Sequence, residues 1–434
     1  MVSRKYEAKP FECWQKAKEL TAKHYAGLRL AKEQKKLIIC GELDFMPSLT
    51  AGLGDFELLH PAICGAATVY KPELAMACFE GLDARGYNST EMCAVMGLQL
   101  GSMFIDSGAF GEVIRPDICI GLNSCPNNSK ATQIISEYYG IPVFNIDLPL
   151  IPRTQRKEFH RQYLVSQMQN AIEWMEKITG RRYDDEMLAK AVCNEWEATV
   201  LWARICDLNK AIPAPLDLKL MYAFCFPAIV GREKVETVEF YRILLDEMEE
   251  RVKNQIAAVA TERCRLLHEG IPPAYFPHLF KIAESYGVAF VGSESVFADT
   301  GAFSVTEDGS WVPANTLEEN GIYLRTRDDA LNALADLYLS YYMSTNSHSI
   351  SSRVEDQLKR VQDWHADGVV FHYDHGCKSM PAAMPEARLA LKERGVPTMV
   401  YEANSSDQRQ FSEVQVVNLF DSFFESMGLC RLAS

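Results

Sequence analysis

DICIGLNSCPNNSKATQIISEYYGIPVFNIDLP, residues 117–149, is the stretch on which the reading of the fold turns. Residues 118–123 form a short apolar run of strand type, 129–140 carry helical spacing and end on glycine, and 142–149 form a second strand. Two strands joined through a helix pair in parallel, so the unit reads as βαβ, closed by Pro149 and Pro152. Working outward, LIICGEL (37–43) reads as an earlier buried strand, followed by a long irregular stretch around AGLGDFELLHPAICGAA. Residues 154–206 and 234–267 carry apolar positions at helical spacing, with the two-proline turn AIPAPLDL between them. Strand signals return at 288–293, 368–374 and 397–403, separated by helical patterns such as RVEDQLKRVQDW with its stripe of Val354, Leu358 and Val361. The expectation is an α/β protein with two Rossmann-like doubly wound parallel-sheet domains and helical insertions, residues 1–212 and 213–434.

The halves show weak internal similarity. Segment 117–149 can be laid against DGVVFHYDHGCKSMPAAMPEARLALKERGVPTMVYEA: each has an aspartate, an apolar strand, a cysteine, a helix, a glycine, a proline and a strand. Cys125 precedes Pro142 by 17 residues and Cys377 precedes Pro397 by 20. An old duplication fits this pattern.

Of 434 residues, 58 are acidic and 44 basic, a formal charge of −14, which argues against a nucleic-acid surface. The N-terminus lacks a signal-peptide apolar region and nowhere do eighteen apolar residues run together, so a soluble cytoplasmic protein is expected. Thirteen cysteines spread from Cys13 to Cys430 do not resemble a compact disulfide framework. Most read as small core hydrophobes, as Cys40 and Cys119 do within their apolar runs. Cys125 and Cys377 instead follow strands, at the carboxyl edge of a parallel sheet where ligands bind and where helix N-termini stabilise thiolates. The phosphate-loop, dinucleotide, zincin, nucleophile-elbow and C-x-x-C motifs are all missing.

Three cysteines in their contexts, EMCAVMGLQLGSM (Cys93), CIGLNSCPNNSK (Cys125) and FHYDHGCKSMP (Cys377), resemble the benzoyl-CoA reductase and 2-hydroxyacyl-CoA dehydratase family. The ending GVPTMVYEANSSDQRQFSEVQVVNLFDSFFES is similar to that family's C-terminal segment, with its D-x-R, and KPFECWQKAKEL resembles a cluster-bearing, non-ATPase subunit of the ATP-dependent benzoyl-CoA reductases. The resemblance implies a [4Fe–4S] cluster held between the two domains by Cys93, Cys125 and Cys377, in keeping with the soft thiolate ligands such clusters take. Cys64 and Cys78 lie near Cys93, and Cys64 is the rival for the first ligand. Dehydratase-type subunits usually carry aspartate after the second cysteine; Pro126 stands there, with Lys130 beyond, which leans the reading toward the reductase branch.

The implied activity is that of an oxidoreductase subunit: low-potential electron transfer to an aromatic acyl-CoA, giving a cyclohexadiene-carbonyl-CoA in anaerobic aromatic degradation. The implied partners are a homologous cluster-bearing subunit, ATP-hydrolysing activator subunits with a bridging [4Fe–4S] cluster, and ferredoxin as donor. The alternatives are a subunit of a 2-hydroxyacyl-CoA dehydratase and a non-catalytic electron relay. His375 and His372, beside Cys377, are candidate proton donors, and Arg153, Arg181 and Arg182 are candidates for CoA phosphates. A zinc site on His372, His375 and Cys377 would strain tetrahedral geometry. A thiol nucleophile at Cys377 would leave Cys93 and Cys125 unexplained.

Overall fold

The first four strands, β1 (Leu37–Gly41), β2 (Phe56–Leu59), β3 (Ile118–Leu122) and β4 (Val143–Ile146), form one parallel sheet in the order β2-β1-β3-β4. Their shortness and their near-continuous apolar character are what a sheet covered on both faces demands. A second parallel sheet contains β5 (Cys264–Glu269), β6 (Val288–Gly292), β9 (Gly368–Asp374) and β10 (Thr398–Ala403), in the order β10-β9-β5-β6. An antiparallel hairpin, β7 (Phe303–Val305) with β8 (Trp311–Pro313), stands apart. The computed structural model describes residues 5–42, 45–152, 155–298, 301–341 and 349–433.

Taken in chain order, the two sheets have the same topology. In each, the first strand lies beside the third, the second flanks the first and the fourth flanks the third. The internal similarity matched β3, β4 with β9, β10, and these occupy equivalent places. In such a sheet successive connections diverge between the first and third strands, and the crevice at their carboxyl ends is where ligands bind. That crevice lies between β1 and β3 in one sheet and between β5 and β9 in the other.

Two elements depart from expectation. The helix expected through residue 267 ends at Lys253, and Cys264–Glu269 is strand β5, one of the two inner strands of its sheet. The segment reads CRLLHE, three apolar residues among three polar ones, with no clean alternation to mark a strand. The stretch expected to be irregular, around residues 51–67, holds β2 and the helix Pro61–Thr68, with the helices Pro72–Asp83 and Ala94–Ile105 after it. The span 154–206 is two helices, Glu158–Thr179 and Asp185–Asp207, broken at Gly180 in a left-handed conformation (φ 68°).

The two large cores draw on both ends of the chain. Phe11, Cys13 and Ala17 pack with the side chains of the second sheet, while Ala302, Leu317 and residues 330–341 of the helix Arg327–Ser340 and its end pack with those of the first. Residues 212 and 213, the expected boundary, fall in the turn before the helix Leu218–Phe224. Among the described residues no helix is long and apolar enough to cross a membrane.

Candidate metal centre

Cys125 is the N-cap of the helix Pro126–Tyr139, three residues past β3, with Pro126 in the first turn where a missing N–H costs nothing. Cys93 is likewise the N-cap of the helix Ala94–Ile105. This second helix is buried along nearly its whole length because small residues let its neighbours close in. A Cβ on Gly101 would stand 2.1 Å from the carbonyl of Cys78, and one on Gly65 would stand 2.5 Å from the carbonyl of Val95. Cys377 lies in the turn after β9, its N–H donating to the Asp374 carbonyl (3.2 Å) and its sulfur accepting the Met380 N–H (3.3 Å). All three are half-buried, whereas seven of the other cysteines are fully buried.

The three loops meet. Gly376 sits against the chain at Met92, so closely that a Cβ there would be 2.1 Å from the Met92 oxygen and 3.3 Å from Cys93 Cα. The Asn127 amide, in the first turn of the helix that Cys125 caps, donates to the Gly376 carbonyl at 3.4 Å. Lys378 and Glu91 pair across the same seam at 3.3 Å. Cys93 lies near enough to Cys377 and Cys125 to feel the charge of each.

Electrostatics set the resting state of the thiols. Burial is the largest influence on Cys93 and pushes its thiol well up; Cys377, Asp374 and Cys125 push the same way, against the Met96 N–H. Burial likewise pushes Cys377 up to about 11, against the N–H groups of Met380 and Ser379. At neutral pH both are held protonated in the bare chain, so metal uptake displaces protons. Desolvated thiols beside backbone N–H groups at Cys93 and Cys377, with Cys125 heading a helix on the third loop, suit an anionic iron–sulfur cluster.

Among the described residues no three His, Cys, Asp or Glu side chains are grouped closely enough for one ion. This bears on the zinc reading: His372 is packed in the core, Nδ1 2.6 Å from the Ile271 carbonyl and its ring stacked on Tyr401 at 4.7 Å, while His375 pairs with Glu402 at 3.3 Å. A four-iron cluster takes each thiolate on a different iron and so uses a wider triangle than a single ion does. Burial lowers the pKa of His372, leaving it neutral; His375 is half-exposed. Cys64 is packed with Leu28, Ala31, Ile38 and Leu59, and burial pushes its thiol up to about 12. Cys78 faces Ser102 Oγ at 3.3 Å inside the helix pair. Arg181 donates to the carbonyls of Leu53 and Asp55, Arg182 is exposed, and Arg153 lies outside the described residues.

Sequence reasoning did not single out the residues that hold the loops. Asp374 Oδ1 accepts the Gly376 N–H (3.1 Å) and Oδ2 the Ser405 N–H (3.3 Å), joining the ends of β9 and β10. Arg409, the arginine of the D-x-R sequence, is held by both oxygens of buried Asp407, donates to Ser89 Oγ (2.6 Å) and reaches Asp83 (3.4 Å) over the Phe79 ring. It thereby ties the C-terminal segment to the loop that ends at Cys93. Arg409→Ala is expected to leave the fold intact and to speed loss of a reconstituted cluster to a ferrous chelator by about tenfold, the usual scale for residues that support metal ligands. Bleaching of the visible absorption measures this.

The profile of the family described as 2-hydroxyglutaryl-CoA dehydratase, D-component, matches residues 74–427, from before Cys93 to beyond Cys377. The chain belongs to this family. It is 28% identical to the α subunit of (R)-2-hydroxyglutaryl-CoA dehydratase from Acidaminococcus fermentans over 72% of this chain and 60% of that one. It is 25% identical to the (R)-phenyllactyl-CoA dehydratase α subunit of Clostridium sporogenes, over 96% of this chain and 95% of the other. It is 24% identical to one of the subunits of benzoyl-CoA reductase from Thauera aromatica, over 73% and 71%. The family therefore comprises subunits of CoA-thioester dehydratases and reductases, and these relatives are subunits of multi-subunit enzymes.

Proposed function

We propose that this chain is the α-type, cluster-bearing subunit of an acyl-CoA enzyme, with Cys93, Cys125 and Cys377 as the ligands of a [4Fe–4S] cluster. The observation that carries the reading is the convergence of three half-buried cysteines from both halves of the chain on one seam. When bound, such a cluster supplies one-electron chemistry at low potential. The protein's part is to hold three thiolates where backbone N–H groups temper their charge. It also keeps the seam tight through Gly376, Asn127 and Arg409, and leaves the thiols half-open toward the carboxyl edges of both sheets.

The dehydratase reading is the first choice: dehydration of a 2-hydroxyacyl-CoA, because the relatives aligned almost end to end are dehydratase α subunits. Aromatic reduction is kept as the second, because Pro126 follows Cys125 and a benzoyl-CoA reductase chain is among the relatives. Both readings call for a homologous second subunit, an ATP-hydrolysing activator with its own bridging cluster, ferredoxin and a cytoplasmic location. His375, two residues before Cys377 and paired with Glu402, is the histidine we assign to proton transfer, while His372 is packed in the core.

The test is the ATP demand of the reconstituted complex. Dehydration of a 2-hydroxyacyl-CoA sustained by catalytic ATP supports the first reading. Ring reduction of benzoyl-CoA with ATP consumed in step with electrons supports the second. A complex with an intact cluster that turns over neither thioester would leave the chain an electron relay.

A further inference from the structure

Asp374, the last residue of β9, is buried at the seam where the cysteines meet. Among the described residues the other carboxylates of that seam each face a basic side chain: Glu91 meets Lys378 at 3.3 Å, Glu402 meets His375 at 3.3 Å, and Asp83 and Asp407 meet Arg409 at 3.4 and 2.6 Å. Asp374 pairs with no lysine, arginine or histidine among these residues. Both its oxygens accept backbone N–H groups instead, those of Gly376 and Ser405, which is the bonding of an ionised carboxylate. The groups that feel its charge are Cys93, Cys377, Tyr275, Tyr401 and His372. Burial holds His372 neutral and both tyrosines protonated, so none of them supplies a counter-charge. The geometry sets the carboxylate beside two thiols at once. Its backbone carbonyl accepts the Cys377 N–H at 3.2 Å, and the Gly376 that its side chain holds at 3.1 Å backs onto the other loop, where a Cβ would stand 3.3 Å from Cys93 Cα.

We infer that the Asp374 carboxylate lowers the reduction potential of the cluster proposed above, on which the inference rests, by setting an uncompensated negative charge beside the Cys93 and Cys377 sulfurs. When one electron enters, nothing leaves, and the negative charge of the site grows by one. The carboxylate repels that added charge, and its burial leaves the repulsion weakly screened. Net charge is one of the levers by which a protein sets an iron–sulfur potential, and hydrogen bonding to the sulfurs is another. The N–H groups of Met96, Met380 and Ser379 pull the potential up by tempering the thiolates, and Asp374 offsets part of that pull. The electron is thereby held at higher energy, which favours its passage to a thioester carbonyl or an aromatic ring. The same side chain joins the ends of β9 and β10, so charge and architecture have to be separated by experiment.

In the full chain with its cluster reconstituted, reductive titration with titanium(III) citrate, followed by electron paramagnetic resonance, reads the midpoint potential. Asp374→Asn keeps the size of the side chain and removes its charge. It is expected to favour the reduced form about tenfold, an upward shift of about 59 mV for one electron. Asp374→Glu keeps the charge and is expected to stay close to wild type. A purely architectural role would move both variants alike, since each disturbs the bonds to Gly376 and Ser405. An unchanged potential in Asp374→Asn, or an equal shift in both, overturns the inference. Should Asp374→Asn lose iron, Asp374→Ser takes its place, a neutral side chain whose hydroxyl can still accept the Gly376 N–H. Loss of iron from both neutral variants would make the carboxylate a holder of the loops and overturns the inference as well. Should Asp374→Glu fail to load, agreement between the shifts of the Asn and Ser variants, which leave different bonds, supports the inference, and disagreement overturns it. A wild-type chain that takes up no iron refutes the proposed cluster and the inference with it, whereas a wild-type cluster whose potential ignores the neutral variants refutes the inference alone.

Discussion

Purified without oxygen, Cys93→Ala, Cys125→Ala and Cys377→Ala are each expected to lack an intact cluster, while Cys64→Ala keeps it. A three-thiolate cluster deprived of one ligand exposes a second iron and is left with two protein bonds, and ligand identity governs whether such centres persist. Cys93 is near both other thiols and backs onto the Gly376 turn, whereas Cys64 is packed with Leu28, Ala31, Ile38 and Leu59. Its loss costs only packing, on the order of 1 kcal/mol for a small buried group. Iron and acid-labile sulfide per chain, with thermal unfolding as a check on the fold, measure all four variants. Iron retained in Cys93→Ala and lost in Cys64→Ala would move the first ligand to Cys64.

Gly376→Ala is expected to be nearly as damaging without touching a ligand. The added Cβ would meet the Met92 oxygen at 2.1 Å and its carbonyl carbon at 2.9 Å. Both are backbone atoms in the loop that ends at the Cys93 N-cap, so relief requires the Cys377 turn and the Cys93 loop to part. Overpacking of this kind costs typically 1–3 kcal/mol, and here the strain falls on the seam where the three thiols meet. Most of the iron should be lost while far-ultraviolet circular dichroism stays native. Gly108→Ala is the control, since a Cβ there meets nothing nearer than 3.6 Å. Full iron content in Gly376→Ala would mean that the seam does not set the ligand geometry.

What could be read from the sequence depended on how locally each feature is encoded. β3, the helix after it, β4, β6, β9 and β10 are short apolar runs bounded by glycine, proline or a polar turn, and all are found in the structure. β5 was hidden because its sequence, CRLLHE, does not alternate: all six positions are buried, the charged ones included. β2 has only four residues in a stretch whose glycines and prolines suggest loop. At the site, Cys125 and Cys377 stood out because they lie beyond the strands and outside the apolar runs. Cys93 stood out only through family resemblance, since as the N-cap of a helix buried along nearly its whole length it has no strand to mark it. Gly376, Asn127, Arg409 and the Asp374 bond to Ser405 act across long sequence separations, and no local pattern encodes such contacts.

Cys93, Cys125 and Cys377 are proposed to hold one iron–sulfur cluster together. Anomalous diffraction from anaerobically grown crystals, recorded above and below the iron edge, tests it most directly. One strong iron feature is expected, bounded by the three sulfurs at the seam of Gly376 and Met92 and absent below the edge. Iron placed elsewhere, a signal at the zinc edge in its stead, or bare thiols in protein that carries its full iron content in solution would contradict it.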